Sequence, residues 1–483
     1  MNWKPDKSSH DPIYLQIADH FEGKMRDGEY PSGSCLPSER KLAATLDVNR
    51  STVVTAYDHL ASLGLVARVK GFGTVATDRQ TFDGTAKRIP NWEQYAKSGF
   101  LHRNDPITRH IHAILGSDQS NINFAIGELS PDLFPVALMQ QAHSRIEMSQ
   151  YLGYEHIQGN IGLRDSIAGH LRTHRGIASS ASSILVTSGA QQAIQLIIQG
   201  LLKPGDGVAI EDPSYCFSMP IFHSAGLRTY RLSVEQDGVD PEQIVSLYKR
   251  HRIKMVFLNP IYHNPTGTTM SAERRKRLLD ISTKFGIAIV EDDPYSLTGF
   301  GQAPEGTLKS MDRDGSVLYV SSLSKIVSSG LRIGWIAGPH SVIQRLTDAK
   351  QQLDFGHSNI PQWIAAQLLS SGELDNHLRK LRTGLQHKLE QTISSLRTEF
   401  GDRIKFRVPS GGIHLWCELD GEWDELQLFN QAIDLGVVIT PGSTLGSHRN
   451  RIRLTYSRVD DREIAPGIRK LAEAYRYALG FDR

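Results

Sequence analysis

The chain has 483 residues, too many for one small hydrophobic core, and this length predicts two or three domains. Its 39% hydrophobic and 22% charged residues are typical of a globular protein. A net charge of only +2 excludes a broadly basic surface, so any contact with nucleic acid requires a local patch of cations. We identify no apolar run that would span a membrane and no secretory signal. The widely spaced cysteines Cys35, Cys216 and Cys417 fit a reducing cytosol and no zinc motif, so we expect a cytoplasmic protein.

The first predicted domain covers residues 1–77 and is mainly helical. Apolar residues recur at helical spacing over residues 12–26, and Leu42 and Leu46 repeat the pattern behind a predicted N-cap at Ser38. After a short turn, residues 51–63 form another amphipathic helix. Two short helices joined in this way predict a helix-turn-helix.

The exposed face of that last helix begins with small hydrogen-bonding side chains, where base edges of DNA are met. The residues on this face are Arg50, Ser51, Thr52 and Thr55. A glycine-containing hairpin follows as a wing, in which Lys70 and the backbone at Gly71 would reach phosphate or the minor groove. A three-helix protein–protein module would use the same packing and is the alternative.

The detailed pattern L-P-S-E-R-x-L-A-x-x-L-x-V-x-R-x-T-V-x-x-A-Y-x-x-L-x-x-x-G-L, followed by G-x-G-T-x-V, resembles the GntR-type winged helix. The resemblance covers about residues 11–77. It implies DNA contacts by Arg40, Arg50, Thr52 and Gly71.

Residues 78–120 lose clear periodicity and mix glycine, proline and polar residues with isolated aromatic side chains. We interpret them as a linker that covers distance, with a short helix over residues 107–115.

From residue 123 onward, short apolar strands alternate with helical stretches. The predicted strands are Ile184–Thr187, Gly207–Ile210, Met255–Leu258, Ile287–Glu291, Val317–Val320 and Ile333–Ala337. Such alternation predicts an α/β domain with a mostly parallel sheet, whose chemistry lies at the carboxyl ends of the strands.

The stretch after the fifth of these strands contains Ser322, Ser324, Lys325 and Arg332. A lysine between hydroxyl groups and near an arginine can form a Schiff base while its neighbours hold a phosphate. Pyridoxal 5'-phosphate carries both an aldehyde and a phosphate on one small ring. A surface loop with a solvated lysine would be the default reading of this stretch alone, but further segments supply the other parts of such a site.

The segments after the first two strands offer a place for the phosphate and the ring. Backbone N–H groups of Gly189, Ala190 and Gln191 open a helix and would cradle an anion. Tyr215 stands where an aromatic side chain would stack on a pyridine ring.

The next two strand ends carry polar groups for the ring substituents. Asn264 lies in a loop fixed by proline and would donate to a phenolate oxygen, which Tyr295 would also reach. Asp292 would keep a pyridine nitrogen protonated, with Asp293 as the rival for this role.

Residues from about 121 to 478 resemble a fold-type I pyridoxal-phosphate enzyme of the aspartate aminotransferase superfamily, closest to the kynurenine/aminoadipate branch. The motifs that carry the resemblance are Gly127 to Pro135, Tyr154 to Arg164, Ser188 to Gln192, Asn264 to Gly267, Asp292 with Tyr295, Ser322 to Lys325 with Arg332, and Arg453.

The resemblance implies a catalytic Lys325 that carries the internal aldimine, with the other residues placed around the cofactor as above. It also implies that Tyr154 reaches the phosphate of a partner subunit, and that Arg453 clamps a substrate or effector carboxylate. Arg451, on the same strand face, competes with Arg453. The domain is expected over residues 121–483, with a smaller α+β part over about 350–483.

A GntR-type winged helix joined to an aminotransferase-like domain is the architecture of the MocR-type regulators. This resemblance implies a head-to-tail homodimer on an operator with paired half-sites. It predicts a pyridoxal-phosphate-dependent transcriptional regulator that senses an amino compound, or the cofactor itself, through aldimine chemistry at Lys325. The alternative is a working aminotransferase with a 2-oxo acid acceptor and an appended DNA-binding head; a scaffold without the cofactor would leave Lys325 idle.

Overall fold

The structure is a computed structural model that describes residues 3–77, 92–117, 120–146, 153–301, 306–446 and 450–480. Contacts within the chain divide it into two compact units, Met1–Phe100 and Leu101–Arg483. The expected linker lies partly outside the described residues, at 78–91 and 118–119, so its limits at residues 78 and 120 stay a prediction.

The first unit contains three packed helices followed by a two-stranded hairpin. Its elements are α1 (Ile13–Arg26), α2 (Glu39–Leu46), α3 (Arg50–Ser62), β1 (Val66–Val69), β2 (Gly73–Ala76) and α4 (Trp92–Ser98). Ser38 caps α2 as predicted, because its side chain accepts from the N–H of Lys41, and Asn49 caps α3 in a similar way. Phe21 and Leu60 are fully buried between the helices. The predicted winged helix-turn-helix is confirmed.

The second unit contains the remaining elements. Its helices are α5 (Pro106–Ser117), α6 (Val136–Ser144), α7 (Ile161–Arg175), α8 (Gly189–Leu201), α9 (Ile221–Ser224), α10 (Pro241–His251), α11 (Ala272–Phe285), α12 (Leu308–Met311), α13 (His340–Gln351), α14 (Asn359–Ser370), α15 (Leu374–Phe400), α16 (Glu425–Asp434) and α17 (Asp461–Ala478). Its strands are β3 (Ile122–Asn123), β4 (Ile184–Thr187), β5 (Gly207–Asp212), β6 (Arg228–Glu235), β7 (Gly238–Val239), β8 (Met255–Leu258), β9 (Ala288–Asp292), β10 (Val317–Ser322), β11 (Gly334–Ala337), β12 (Ile404–Phe406), β13 (His414–Leu419), β14 (Val437–Val438), β15 (Thr440–Pro441) and β16 (Arg451–Thr455).

The large sheet has eight strands in the order β4-β11-β10-β9-β8-β5-β6-β7. The pairs from β10 through β9, β8 and β5 to β6 are parallel, whereas β11 runs antiparallel to both of its neighbours. Strands β4, β5, β8 and β10 are buried at every residue, because helices cover both faces of the sheet. All six predicted strands are present, and the predicted α/β fold is confirmed.

The register of neighbouring strands brings the predicted site residues to one edge of this sheet. Val320 lies opposite Asp292 across β10 and β9, and Ser322 lies opposite Gly334 across β10 and β11. Gly334 in turn pairs with Thr187 at the end of β4. Because β11 is antiparallel, the loop that precedes it meets the carboxyl ends of the parallel strands. The segments that follow β4, β9 and β10 therefore converge.

The C-terminal part forms an antiparallel sheet of four strands in the order β12-β13-β16-β15. Helices α15 and α17 pack against each other beside it and bury a long apolar stripe. This arrangement matches the smaller α+β part expected from the sequence. Among the described residues, no helix is long and apolar enough to cross a membrane.

Strand β11 approaches the start of α8 so closely that only glycine fits at its first residue. A Cβ atom added to Gly334 would lie 2.6 Å from the carbonyl carbon of Gly189 and 2.8 Å from its Cα. We therefore expect Gly334→Ala to lower the free energy of unfolding by about 1–3 kcal/mol, as overpacking does in other cores.

The matched control is Gly330→Ala, because a Cβ there would meet no atom closer than the Ser328 hydroxyl at 3.5 Å. This variant should stay within about 0.5 kcal/mol of the wild type. Denaturant unfolding of both variants checks the prediction, and equal stability of the two would contradict it.

Candidate functional site

One cavity of about 570 Å³ collects most of the predicted cofactor residues at the edge where the parallel strands end. The predicted residues that line it are Ala190, Gln191, Tyr215, Asn264, Asp292, Tyr295, Ser322, Ser324, Lys325, Arg332 and Arg453. Gly189 is the first residue of α8, directly before two of them.

Lys325 lies just beyond the end of β10, where its Nζ donates to the carbonyl oxygen of Gly127 at 2.5 Å. Burial lowers the pKa of this ammonium group to about 8, although the Glu128 carboxylate acts in the opposite direction. About one tenth of such a lysine is neutral at pH 7, compared with less than about one in a thousand for an exposed one. Ser322, the last residue of β10, and Ser324 precede Lys325 and line the same cavity with it, so Lys325 is a usable nucleophile in a polar setting.

Two neighbouring acids at the end of β9 have different surroundings. Asp292 accepts a hydrogen bond from the Tyr215 hydroxyl through Oδ2, while its buried Oδ1 has no hydrogen-bond partner. Burial raises the pKa of Asp292 to about 7. The Asp293 carboxylate instead accepts from the hydroxyls of Tyr319 at 2.8 Å and Ser296 at 2.6 Å. Asp292 is thus the acid that has a free oxygen within the cavity.

Asn264 and Tyr295 meet beside the cavity. The Asn264 amide donates to the Tyr295 hydroxyl at 3.4 Å, and its own backbone N–H donates to Asn259 at 2.7 Å. Burial raises the pKa of the Tyr295 phenol, which therefore keeps its proton at neutral pH. The pair presents an amide and a hydroxyl group to the same place.

The start of α8 forms an anion cradle together with an arginine. The N–H of Ser188 is already bonded to the Gln192 side chain at 2.7 Å, so the amides of the first helical turn carry the unsatisfied donors. Arg332 donates to the Ser188 carbonyl at 3.0 Å, and a Cβ on Gly189 would come within 2.8 Å of its guanidinium. A glycine at the start of the helix is therefore what admits the arginine beside the free amides.

Of the two rival arginines on β16, only Arg453 lines the cavity. Its guanidinium donates to the Asn264 side chain at 3.1 Å and to the Thr440 hydroxyl at 3.1 Å, and its buried Nε has no partner. Burial lowers the pKa of Arg453 to about 10. Arg451 is bonded to Glu418 and lines a different cavity.

Tyr154 does not line the cofactor cavity of its own chain. Its side chain is 93% exposed and lies beside the exposed Phe355 ring, with ring centroids 6.2 Å apart. The partner-subunit role implied by the family resemblance stays a prediction.

The structure also places residues in the cavity that the sequence did not point to. Helix α5 and the residues just before it contribute part of the lining, through Asn104, Thr108, Ile111 and His112. Ile111 also belongs to the hydrophobic core, and Ile107 and Ile114 pack against that core. The only signal in the sequence was the predicted short helix, which lay in a stretch interpreted as a linker. Glu128 lines the cavity as well.

In the first unit, the predicted DNA-contacting residues lie on α2, α3 and the wing. The exposed ones are Arg40, Arg50, Ser51, Thr55, Lys70 and Gly71, while Thr52 is partly buried. Arg50 forms an ion pair with Glu39 at 3.0 Å, and Arg68, which the sequence did not point to, contacts the same carboxylate at 3.5 Å. Arg68 also pairs with Asp58 at 2.8 Å. Arginine and hydroxyl side chains thus surround the start of α3, and Glu39 forms ion pairs with two of the arginines.

The donor set of the cavity fits a phosphorylated pyridine aldehyde. An unsatisfied Asp292 oxygen suits a protonated ring nitrogen, and Asn264 with Tyr295 suits a ring oxygen. The free amides of α8 with Arg332 suit a phosphate, and Lys325 suits an aldehyde carbon.

Comparison with known proteins gives two matching families. Residues 119–471 match aminotransferase class I and II, and residues 13–75 match the gntR family of bacterial regulatory proteins. A curated relative from Bacillus subtilis, the uncharacterized HTH-type transcriptional regulator YisV, is 38% identical over 98% of this chain and 98% of its own length.

Two solved structures are also similar. A kynurenine aminotransferase from Pyrococcus horikoshii, in complex with PMP, aligns with a TM-score of 0.73 at 29% identity, over 78% of this chain and 96% of that one. The alpha-aminoadipate aminotransferase LysN from Thermus thermophilus, complexed with N-(5'-phosphopyridoxyl)-L-leucine, gives 0.73 at 28% identity, over 81% and 99% of the two chains.

The lowered pKa of Lys325 sets a pH dependence for attachment of pyridoxal 5'-phosphate. The neutral amine is the reactive form and becomes more abundant as the pH rises through about 8. We expect the rate of attachment to rise about tenfold for each pH unit below 8 and to level off above it.

Rapid mixing of cofactor-free protein with the cofactor, followed by visible absorbance, measures this rate. Lys325→Ala should give no attachment. A rate that keeps rising until pH 10 would indicate an ordinary exposed lysine and contradict the prediction.

Proposed function

The chain belongs to the aminotransferase class I and II family and carries a region of the gntR family of bacterial regulatory proteins, and from this premise we propose a regulator of transcription. The regulator binds DNA through its first unit and pyridoxal 5'-phosphate through its second. This order of regions is that of the MocR-type architecture expected from the sequence. The relative YisV, which is named an HTH-type transcriptional regulator, matches both regions along nearly the whole chain.

The cofactor is pyridoxal 5'-phosphate, which supplies an aldehyde that amino groups capture reversibly. In our proposal Lys325 holds the aldehyde carbon and Asp292 keeps the ring nitrogen protonated. Asn264 and Tyr295 bind the ring oxygen, and Tyr215 lies against the ring. The phosphate is bound by Gly189, Ala190, Gln191, Ser322, Ser324 and Arg332. Arg453 remains for the carboxylate of an effector.

The observation that carries the proposal of ligand sensing is the position of α5. This helix begins at Pro106, soon after the connector that leads out of the DNA-binding unit, and it lines the cofactor cavity. An amino compound that replaces Lys325 on the cofactor would contact Thr108 and His112 directly. It would bias DNA binding only by its different affinity for two positions of this helix. Such coupling is typically about 1–3 kcal/mol, a change of roughly five- to 150-fold in affinity.

The partners in this proposal are operator DNA with paired half-sites and a second copy of the chain. Arg50 and Thr52 contact bases, while Lys70 and the Gly71 backbone contact phosphate, in the cytoplasm where that DNA lies. Exposed apolar side chains around Tyr154 and Phe355 support a head-to-tail homodimer in which Tyr154 reaches the other subunit's phosphate. Burying these aromatic rings against a copy would remove them from water.

A working aminotransferase is the second candidate, because one observation favours it. Every group that the resemblance assigns to the ring and the aldehyde lies in the same cavity, including Lys325, Asp292 and Tyr295. Steady turnover of an amino donor with a 2-oxo acid, without any effect of the donor on DNA binding, would favour this candidate. A DNA-binding unit has no use in such catalysis, so regulation remains the preferred function.

We expect Arg50→Ala to weaken binding to the DNA next to the protein's own coding sequence by about ten- to 100-fold, the usual loss for one base-reading side chain. Arg26→Ala is the matched control, because Arg26 is an exposed arginine at the end of α1, outside the helix-turn-helix. Both variants should bind the cofactor normally. Fluorescence anisotropy with labelled DNA checks the prediction, and equal affinity of both variants would remove Arg50 from the interface.

The regulatory proposal predicts that amino acids or amines change operator affinity in the same assay. For the compound that acts, His112→Ala should shift the half-effective concentration by about two- to tenfold, the effect of one lost hydrogen bond. Arg109→Ala, an exposed change on the same helix, should leave the response unchanged. If the affinity of the DNA-binding unit for DNA is the same for every compound bound in the cavity, the sensing role is wrong.

A further inference from the structure

A buried histidine lies directly behind Tyr295. His414 opens β13, is 3% exposed, and has its Nε2 3.1 Å from the Tyr295 hydroxyl oxygen. Its Nδ1 is 3.0 Å from the hydroxyl oxygen of Thr455, the residue paired with it across β13 and β16. The imidazole meets the Tyr295 ring edge-on, at 84°.

The hydrogen bonds of this group fix where the imidazole carries its proton. Thr455 is fully buried, and within the described part of the chain the acceptor that its hydroxyl contacts is Nδ1. A buried hydroxyl group donates to the acceptor within its reach, so Nδ1 accepts and the proton of the neutral ring lies on Nε2. Burial, together with the charges of Arg453 and Lys325, lowers the pKa of His414 well below its usual value, so the ring stays neutral.

With the proton on Nε2, two donors point at the Tyr295 hydroxyl oxygen. One is His414 at 3.1 Å, and the other is the Asn264 amide at 3.4 Å. Neither donor can accept the hydroxyl hydrogen of Tyr295. That hydrogen is therefore directed away from both of them, into the cavity that Tyr295 lines.

We infer that His414 is a positioning residue that aims the Tyr295 hydroxyl proton at the ring oxygen of bound pyridoxal 5'-phosphate. The inference rests on the proposed cofactor and names the group that controls one of its contacts. If the imidazole carried its proton on Nδ1 instead, Tyr295 would donate to His414 and lose its hydrogen bond to the cofactor. The Thr455 hydroxyl prevents this state.

The test is a pH titration of the visible absorbance of the cofactor-loaded full-length protein. A hydrogen bond donated by Tyr295 to the anionic ring oxygen favours the deprotonated form of the bound cofactor. Loss of this bond therefore raises the pH midpoint of the absorbance change. We expect His414→Phe, which keeps the bulk and loses both nitrogens, to raise the midpoint by about 0.4–1 pH unit, the shift that corresponds to one hydrogen bond. His414→Gln, whose amide can reach the position of Nε2, should restore most of the wild-type midpoint.

A double-mutant cycle separates positioning from packing. In a Tyr295→Phe background the proton to be aimed is absent, so adding His414→Phe should cause no further shift. Thr455→Val, which frees Nδ1, should move the midpoint in the same direction by a smaller amount and serves if His414→Phe fails to fold. An unchanged midpoint in either folded variant, an equal further shift without the Tyr295 hydroxyl, or failure of the glutamine variant to restore it would overturn the inference.

The same titration distinguishes an error in the role of His414 from an error in the proposed cofactor. If the wild-type protein acquires no visible band with the cofactor and Lys325→Ala behaves in the same way, the cofactor assignment itself is wrong. If the wild-type protein acquires the band and the His414 variants titrate with the wild-type midpoint, the cofactor assignment holds and the positioning role is wrong.

Discussion

The convergence of the segments that follow β4, β9 and β10 on one edge of the large sheet, beside the start of β11, is the constraint on which the site depends. The pairing of Ser322 with Gly334, and of Gly334 with Thr187, is a matter of register. A shift of one residue along β11 would turn every side chain on that strand to the other face and separate Arg332 from the start of α8. The missing side chain at Gly334 lets the backbone of α8 approach, so the same strand register also places the proposed phosphate site.

The two buried carboxylates at the end of β9, Asp292 and Asp293, differ in how their oxygens are hydrogen-bonded. Asp293 lies in a closed set of partners, Arg175, Tyr319 and Ser296, that satisfies its oxygens. Asp292 has a buried oxygen without a hydrogen-bond partner, which costs free energy, and in the proposed cofactor site a ring nitrogen would donate to it and offset this cost. The closed set holds the end of the strand in place, and the open oxygen remains available for binding. One of two adjacent acids thus has its hydrogen bonds within the protein, while the other has an oxygen left for the proposed ligand.

Much of the fold and of the cavity was predictable from sequence, for a physical reason. Strands buried on both faces are continuous apolar runs, and the polar residues that follow them stand out. Strand β6, which lies between β5 and β7, has Leu232 as its one buried residue and was not predicted. The contributions of α5 and His414 were also missed, because no local pattern marks them. His414 meets a tyrosine 119 residues away, and α5 shows its role only when it is packed on the core. Contacts of this kind depend on tertiary placement.

The acid at the start of α2 has a consequence for how the head discriminates among DNA sequences. Glu39 already holds Arg50 and Arg68, so a phosphate that recruits either cation must displace a carboxylate as well as solvent ions. In the proposed DNA-binding role, fewer condensed counterions would then be released from the DNA for each arginine, and the salt dependence of binding would be shallower than the number of arginines suggests. Non-specific binding, which depends on phosphate contacts, would gain less from guanidinium groups that Glu39 already neutralises. In the proposed DNA-binding role, this ion pairing would therefore favour sites that offer base contacts in addition to phosphates.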